Sequence, residues 1–88
     1  MKITLDQERE IEINGYTIMK YEKQSGKSLF KIGDNPSMTD IVQLVWAFLT
    51  DDLPIDQVAK TINLKNMKHI SETLAKVMSE SGNENDHT

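Results

Sequence analysis

The sequence predicts a small α+β fold, predominantly α, in which a short N-terminal β-ribbon precedes about four helices around an apolar central helix at residues 38–50. Three observations predict it: apolar and polar residues alternate near the N-terminus, helix start and stop signals recur along the chain, and one predicted helix is apolar nearly all round. The 88 residues suit a single domain, which we place at 1–80, before a polar tail at 81–88 that we expect to be disordered.

The first predicted element is the β-ribbon within residues 2–13. Ile3 and Leu5 alternate with polar residues in one run, and Ile11 and Ile13 do so in a second run. Alternation of this kind is typical of a strand with one buried face. The polar residues between the two runs are expected to form the turn.

A first helix is predicted from its two ends. Asn14 offers an N-cap side chain for a helix at about 15–25, and Gly26 is placed to end it in the left-handed conformation. An apolar residue soon after such a glycine commonly folds back on the helix. Leu29 or Phe30 is expected to do so here.

The second helix is expected to be the centre of the core. Ser37 is a candidate N-cap, and Asp40 is placed to bond back to the backbone of the cap. Residues 41–49 are apolar except for one glutamine, which indicates a helix surrounded by neighbours. Trp46 is therefore expected in the core, whereas the position of Phe48 near the helix end leaves core and partner contact both open.

Two further helices are predicted in the second half of the chain. Asp51-Asp52-Leu53-Pro54 is a start signal for a short helix that ends near Asn63. The last helix is predicted from residue 64 or 65 to Ser79. The apolar side of the third helix comprises Ile55, Val58, Ala59 and Ile62, and that of the last comprises Met67, Ile70, Leu74, Val77 and Met78.

Composition narrows the classes of function. The formal net charge is -4, and 10 basic residues are scattered among 14 acidic ones, so we expect no nucleic-acid partner. The chain has no cysteine and no basic-then-apolar leader pattern, and its longest apolar stretch is about half of a membrane span. These features predict a cytoplasmic protein without a membrane segment.

Gly26-Lys27-Ser28 matches the last three residues of a phosphate-binding loop motif, but the surrounding sequence lacks the other features of that motif. Tyr21 stands where that loop has its first glycine, and the segment follows a predicted helix instead of a strand. We therefore expect no nucleotide and no other cofactor. Glu22 is expected to cap or pair locally, with Lys27 as a candidate partner.

Neither a metal site nor a catalytic site is predicted. His69 and His87 have no partner at metal-ligand spacing, and the aspartates do not follow the calcium-loop spacing. Ser28 and Ser37 have turn and capping roles, and no strained nucleophile turn is evident. A catalytic group assembled only in space stays open, but an enzyme ranks below a binding protein.

Three segments of the chain carry short helix and turn motifs: Tyr21-Glu22-Lys23-Gln24-Ser25-Gly26-Lys27-Ser28-Leu29, Ser37-Met38-Thr39-Asp40-Ile41-Val42-Gln43-Leu44-Val45-Trp46-Ala47 and Leu53-Pro54-Ile55-Asp56-Gln57-Val58. Together they resemble the tail assembly chaperones of long-tailed phages and prophages. Members of that family often show a helix ending in a Glu-x-x-x-Gly-Lys-Ser-like turn, a helix with a Leu-x-Trp-Ala-like centre and a Leu-Thr-x-Glu-Glu-Val-like helix start. Pro54 stands where a capping Ser or Thr is usual. The resemblance covers about residues 8–78.

The resemblance implies a non-enzymatic role in the cytoplasm of the bacterial host. Such chaperones bind the helix-rich tape measure protein before the tail tube polymerises, and they are absent from the finished virion. A longer frameshifted form recruits the tail tube protein in many members. Phe48, Leu53 and Met78 are the predicted partner contacts, and a homo-oligomer is a further option.

A small phage or prophage helix-turn-helix regulator is the second hypothesis. Helices two to four have the order such a motif needs, and Lys65, Lys68 and Lys76 supply some positive charge. The acidic net charge and the lack of an arginine-rich face count against DNA binding.

Overall fold

The computed structural model describes residues 1–32 and 36–86, with side chains through residue 79. A two-stranded antiparallel ribbon is followed by four helices, which confirms the predicted α+β, predominantly α class. A 3-10 turn at Leu29–Lys31 lies between the first two helices. The elements are β1 (Lys2–Thr4), β2 (Glu8–Glu10), α1 (Gly15–Ser25), α2 (Met38–Phe48), α3 (Ile55–Thr61) and α4 (Leu64–Asp86).

The ribbon is joined to the end of α2 as well as paired with itself. Ile3 of β1 lies opposite Arg9 of β2, and Ile3 is fully buried. Beyond β2, Ile11 forms an antiparallel bridge with Leu49. The backbone N–H of Thr50 donates to the carbonyl of Glu10 at 3.1 Å. The chain after α2 therefore extends the ribbon by a short third segment.

Helix α1 has the predicted ends. The Asn14 side chain accepts from the backbone N–H of Thr17 at 3.0 Å, and the Thr17 hydroxyl accepts from the backbone N–H of Asn14 at 2.9 Å. Gly26 closes the helix with φ of 73°, in the left-handed region. Of the two residues predicted to fold back, Leu29 is buried and Phe30 is 87% exposed.

Helix α2 lies in the centre of the core and packs against α1 and α3. Its start is the predicted capping box: the Ser37 hydroxyl accepts from the backbone N–H of Asp40, and the Asp40 carboxylate accepts from that of Ser37, each at 3.1 Å. The predicted span of 38–50 is too long, because Leu49 leaves the helix in an extended conformation to pair with Ile11. The buried residues of α2 are Asp40, Ile41, Leu44, Val45, Ala47 and Phe48.

Helix α3 begins after Pro54, which has no side-chain hydrogen bond as a cap. Val58 and Ile62 are buried as predicted, but Ala59 is exposed, so the apolar side of α3 is narrower than its spacing indicated. Asn63 then caps α4, since its side-chain oxygen accepts from the backbone N–H groups of residues 65 and 66 at 2.9 and 3.1 Å.

Helix α4 packs against β1 and buries Ile70, Leu74 and Val77. It is longer than predicted: the backbone stays helical to Asp86, past the expected end at Ser79. The sequence loses its apolar periodicity there, but it contains no proline to break the helix. The domain boundary at residue 80 and the disordered tail at 81–88 stay predictions, and His87 and Thr88 lie outside the described residues.

Candidate functional site

The three predicted partner contacts differ in accessibility. Phe48 is fully buried, so it is a core residue and the partner contact predicted there is wrong for this fold. Its position at the helix end did not expose it, because the ribbon covers this end and the backbone N–H of Glu12 donates to the Phe48 carbonyl at 2.8 Å. Leu53 and Met78 are half-buried against the core, and their role as contacts stays a prediction.

Several large apolar side chains are exposed that the sequence reasoning did not select. Tyr16 and Met19 lie three residues apart on α1, which puts them on one side of the helix. The same helix buries Thr17 and Tyr21, so a helical wheel drawn from those residues would have placed Tyr16 and Met19 outward. The exposed set comprises Met1, Tyr16, Met19, Phe30, Met38 and Leu64, with Tyr16 at 69%, Phe30 at 87% and Leu64 at 90% exposure.

Trp46 joins α2 to two neighbouring parts of the molecule. It was expected in the core, and it is half-buried and packs against the core; its indole N–H donates to the carbonyl of Leu53 at 3.0 Å. The ammonium of Lys20 on α1 lies 4.4 Å from the centre of the indole ring. This distance suits a cation–π contact, so Lys20 and Leu53 hold the Trp46 ring from two sides.

The Gly26-Lys27-Ser28 segment makes structural contacts. The Ser28 hydroxyl accepts from the backbone N–H of Phe30 at 3.3 Å and so caps the 3-10 turn. Glu22 accepts from the backbone N–H of Leu29 at 3.3 Å, which is a local capping contact of the expected kind. Lys27 does not pair with Glu22 in the structure, because its ammonium lies against Asp40.

The Lys27–Asp40 ion pair connects the end of α1 to the start of α2. The Lys27 ammonium donates to the Asp40 carboxylate at 3.0 Å. This hydrogen bond, followed by the one from the Ser37 backbone N–H, lowers the pKa of Asp40, and the Asp40 carboxylate in turn raises the pKa of Lys27. The lysine of the Gly-Lys-Ser segment therefore has a partner within the fold.

Arg9 is a second ion-pair centre, and the sequence reasoning missed it. Its guanidinium donates to both carboxylate oxygens of Asp6 at 2.9 Å and to Asp51 at 2.8 Å. These carboxylates raise the pKa of Arg9 well above its ordinary value, and its side chain is only 11% exposed. No local signal marks the Arg9–Asp51 contact, since the two residues are 42 positions apart.

The Tyr21 hydroxyl is a buried polar group on the inner side of α1. Tyr21 is fully buried, and its hydroxyl has no hydrogen-bond partner among the described residues. Buried hydroxyl groups are normally hydrogen-bonded, because water is lost on burial. Tyr21 therefore contributes to the fold mainly through its ring.

The histidines and acids form no metal-binding group in the part of the chain that the structure describes. His69 is exposed and its ring accepts from the backbone N–H of Thr4 at 3.3 Å, while His87 lies outside the described residues. Within residues 1–32 and 36–79, no three His, Cys, Asp or Glu side chains are grouped for metal binding. None of the described helices combines the length and apolar composition needed to cross a membrane.

Comparisons with family models, with curated proteins and with solved structures give no significant match to this chain.

Proposed function

We propose that this chain is a phage tail assembly chaperone, a protein-binding module that covers apolar helical surface on the tape measure protein. The observation that carries the proposal is the exposure of large apolar side chains on α1 and on the 3-10 turn that follows it, namely Tyr16, Met19 and Phe30. Exposed aromatic and methionine side chains are enriched where proteins bind other proteins. A tape measure protein presents apolar helical stripes of the kind that such a surface can cover.

The positions of the family-like segments in the fold also support the proposal. Residues 21–29 run from the end of α1 to the first residue of the 3-10 turn, residues 37–47 form the cap and most of the body of α2, and residues 53–58 lead into α3. These segments build the framework that holds α1 against α2, so the resemblance concerns the framework itself. The exposed side of α1 is then left for the partner.

The finer parts of the proposal come from the resemblance. We propose that the chain acts without catalysis in the cytoplasm of the bacterial host and is absent from the finished virion. A longer frameshifted form would recruit the tail tube protein. Self-association into a homo-oligomer is compatible with the same exposed set.

Co-expression tests the proposed function. The chain is produced with the tape measure protein encoded in the same tail gene cluster, and the soluble fraction is analysed on a sizing column. We expect the tape measure protein to become soluble in a complex with this chain. Equal solubility of the tape measure protein alone, with no co-elution, would contradict the role.

A helix-turn-helix regulator is the second candidate. The observation that favours it is the two-residue connection between α3 and α4, followed by exposed Lys65, Lys68 and Lys76. Exposed Glu72 lies among these lysines in the sequence. Lysine contacts to phosphate contribute to DNA affinity by releasing counterions, so such binding depends on salt concentration. Binding to duplex DNA that weakens steeply with salt would favour the regulator over the chaperone.

A further inference from the structure

A groove of about 400 Å³ lies between the N-terminal turns of α1 and the segment that joins α2 to α3. Tyr16 and Lys20 of α1 line one side, and Leu49 contributes an apolar part of the lining. Three acidic residues also line the groove: Glu12, Asp51 and Asp52.

Some of the charged side chains that line the groove have a partner within the chain and others do not. Asp51 is paired with Arg9, and the Lys20 ammonium lies over the Trp46 ring. Glu12 and Asp52 are exposed and form no ion pair with any described residue. The groove therefore offers two carboxylates to a cation from outside the chain, and a cation there would meet a favourable field.

An apolar ridge borders the same groove. Tyr16 lines the groove and is 69% exposed, and Met19 continues the exposed side of α1 at 47%. A tyrosine face beside carboxylates suits an arginine or lysine, because the ring adds a cation–π contact to the ion pairs. The thioether of Met19 is flexible and adapts to varied apolar side chains.

We propose that this groove binds a lysine or arginine side chain that flanks the apolar side of a partner helix, while Tyr16 and Met19 contact that apolar side. The inference rests on the proposed function for the helical character of the partner, and it adds the location of the contact and the charge of the partner. Charge complementarity selects this occupant, since an acidic helix would meet Glu12 and Asp52 with repulsion.

The test uses two synthetic amphipathic helical peptides and the complete chain. Both peptides carry the same leucine stripe, and the residues flanking it are lysine in one and glutamate in the other. Binding is followed by amide chemical shifts at low salt. We expect the lysine peptide to shift the amides of Tyr16, Lys20 and Asp52, and the glutamate peptide to bind at least about tenfold more weakly.

Charge-reversal variants assign the contact to the groove. Glu12→Lys and Asp52→Lys are each expected to weaken binding of the lysine peptide several-fold, because each replaces an attraction with a repulsion. Glu72→Lys on the exposed side of α4 makes the same change in net charge and serves as the control, with affinity expected within about twofold. Equal weakening by Glu72→Lys would overturn the proposal.

Three other results would also overturn it: equal affinity for the two peptides, shifts confined to residues away from the groove, or occupation of the groove by a second copy of the chain. The outcome is separable from that of the proposed function. If the tape measure complex forms and Glu12→Lys and Asp52→Lys leave it unchanged, the groove inference fails alone. If the lysine peptide binds in the groove and no tape measure complex forms, the proposed function fails alone.

Discussion

The Asp40 carboxylate accepts hydrogen bonds from two parts of the chain at the start of α2. One comes from the Lys27 ammonium and the other from the Ser37 backbone N–H. Both favour the charged form, so the pKa of Asp40 in the folded protein lies below its ordinary value of 3.8. Its contribution to stability is complete above that value and is lost as the pH falls through the lowered pKa.

Asp40→Asn is expected to reduce the free energy of unfolding by about 1 kcal/mol at neutral pH, because it removes the charge from the capping box and the ion pair. Urea unfolding measured from neutral pH to well below 3.8 should show this difference shrink. Asp56→Asn, at an exposed acid without an ion pair among the described residues, is the control. A difference that is independent of pH would refute the assignment.

The Tyr21 hydroxyl provides a second test at the scale of one residue. It is buried without a hydrogen-bond partner among the described residues, so its removal leaves no other group unpaired. Tyr21→Phe should leave the free energy of unfolding unchanged or raise it by up to about 1 kcal/mol. Thermal unfolding compares the two proteins, and a clear loss of stability would mean that the hydroxyl has a partner after all.

The end of helix α1 depends on the backbone conformation of one glycine. Gly26 is the one described residue with a positive φ, at 73°, and a Cβ added there meets no atom within 4 Å. Gly26→Ala should therefore destabilise the protein by about 1 kcal/mol through backbone strain alone. Gly15→Ala at the start of α1 also meets open space, and it should be neutral or slightly stabilising in the same denaturation experiment.

The ribbon and the segment after α2 are linked through Arg9. Arg9→Lys keeps the charge but loses the planar group that reaches Asp6 and Asp51 together. Because both carboxylates are about half exposed, we expect a modest loss of about 1 kcal/mol in the free energy of unfolding. Hydrogen exchange should show faster opening of β2 than of α2 in the variant, and an unchanged β2 would contradict the link.

Capping residues were predictable because their signals span only three or four positions. Asn14, Gly26 and the Ser37–Asp40 box act where the sequence predicts. The Arg9–Asp51 pair and the burial of Phe48 were not predictable, since each depends on how the ribbon meets the end of α2. Because α2 is apolar nearly all round, its sequence does not show which parts of the helix other elements cover.

The candidate surface was the least predictable part. Tyr16 and Met19 become recognisable as a surface only once the buried side of α1 is known, and the groove beside them brings Glu12 together with Asp52 from another part of the chain. Leu53 and Met78 were chosen for their positions near helix ends, but both are half-buried against the core. Exposure depends on packing partners, which a single sequence does not specify.

For the whole molecule, the central claim is that the exposed side of α1 binds a helical protein partner. Tyr16→Glu with Met19→Glu adds two carboxylates to this side, and substitutions at exposed residues away from caps and ion pairs usually change stability little. Ser71→Glu with Ser79→Glu adds the same charge on exposed positions of α4 and is the matched control.

The most direct test is a calorimetric titration of the purified chain with a tape measure protein, the partner that the proposed function assigns to it. We predict a complex with the unmodified chain and with the α4 control, and binding at least about tenfold weaker for the variant with glutamates at positions 16 and 19. No complex with the unmodified chain, or equal affinity for that variant in its folded form, would contradict the claim.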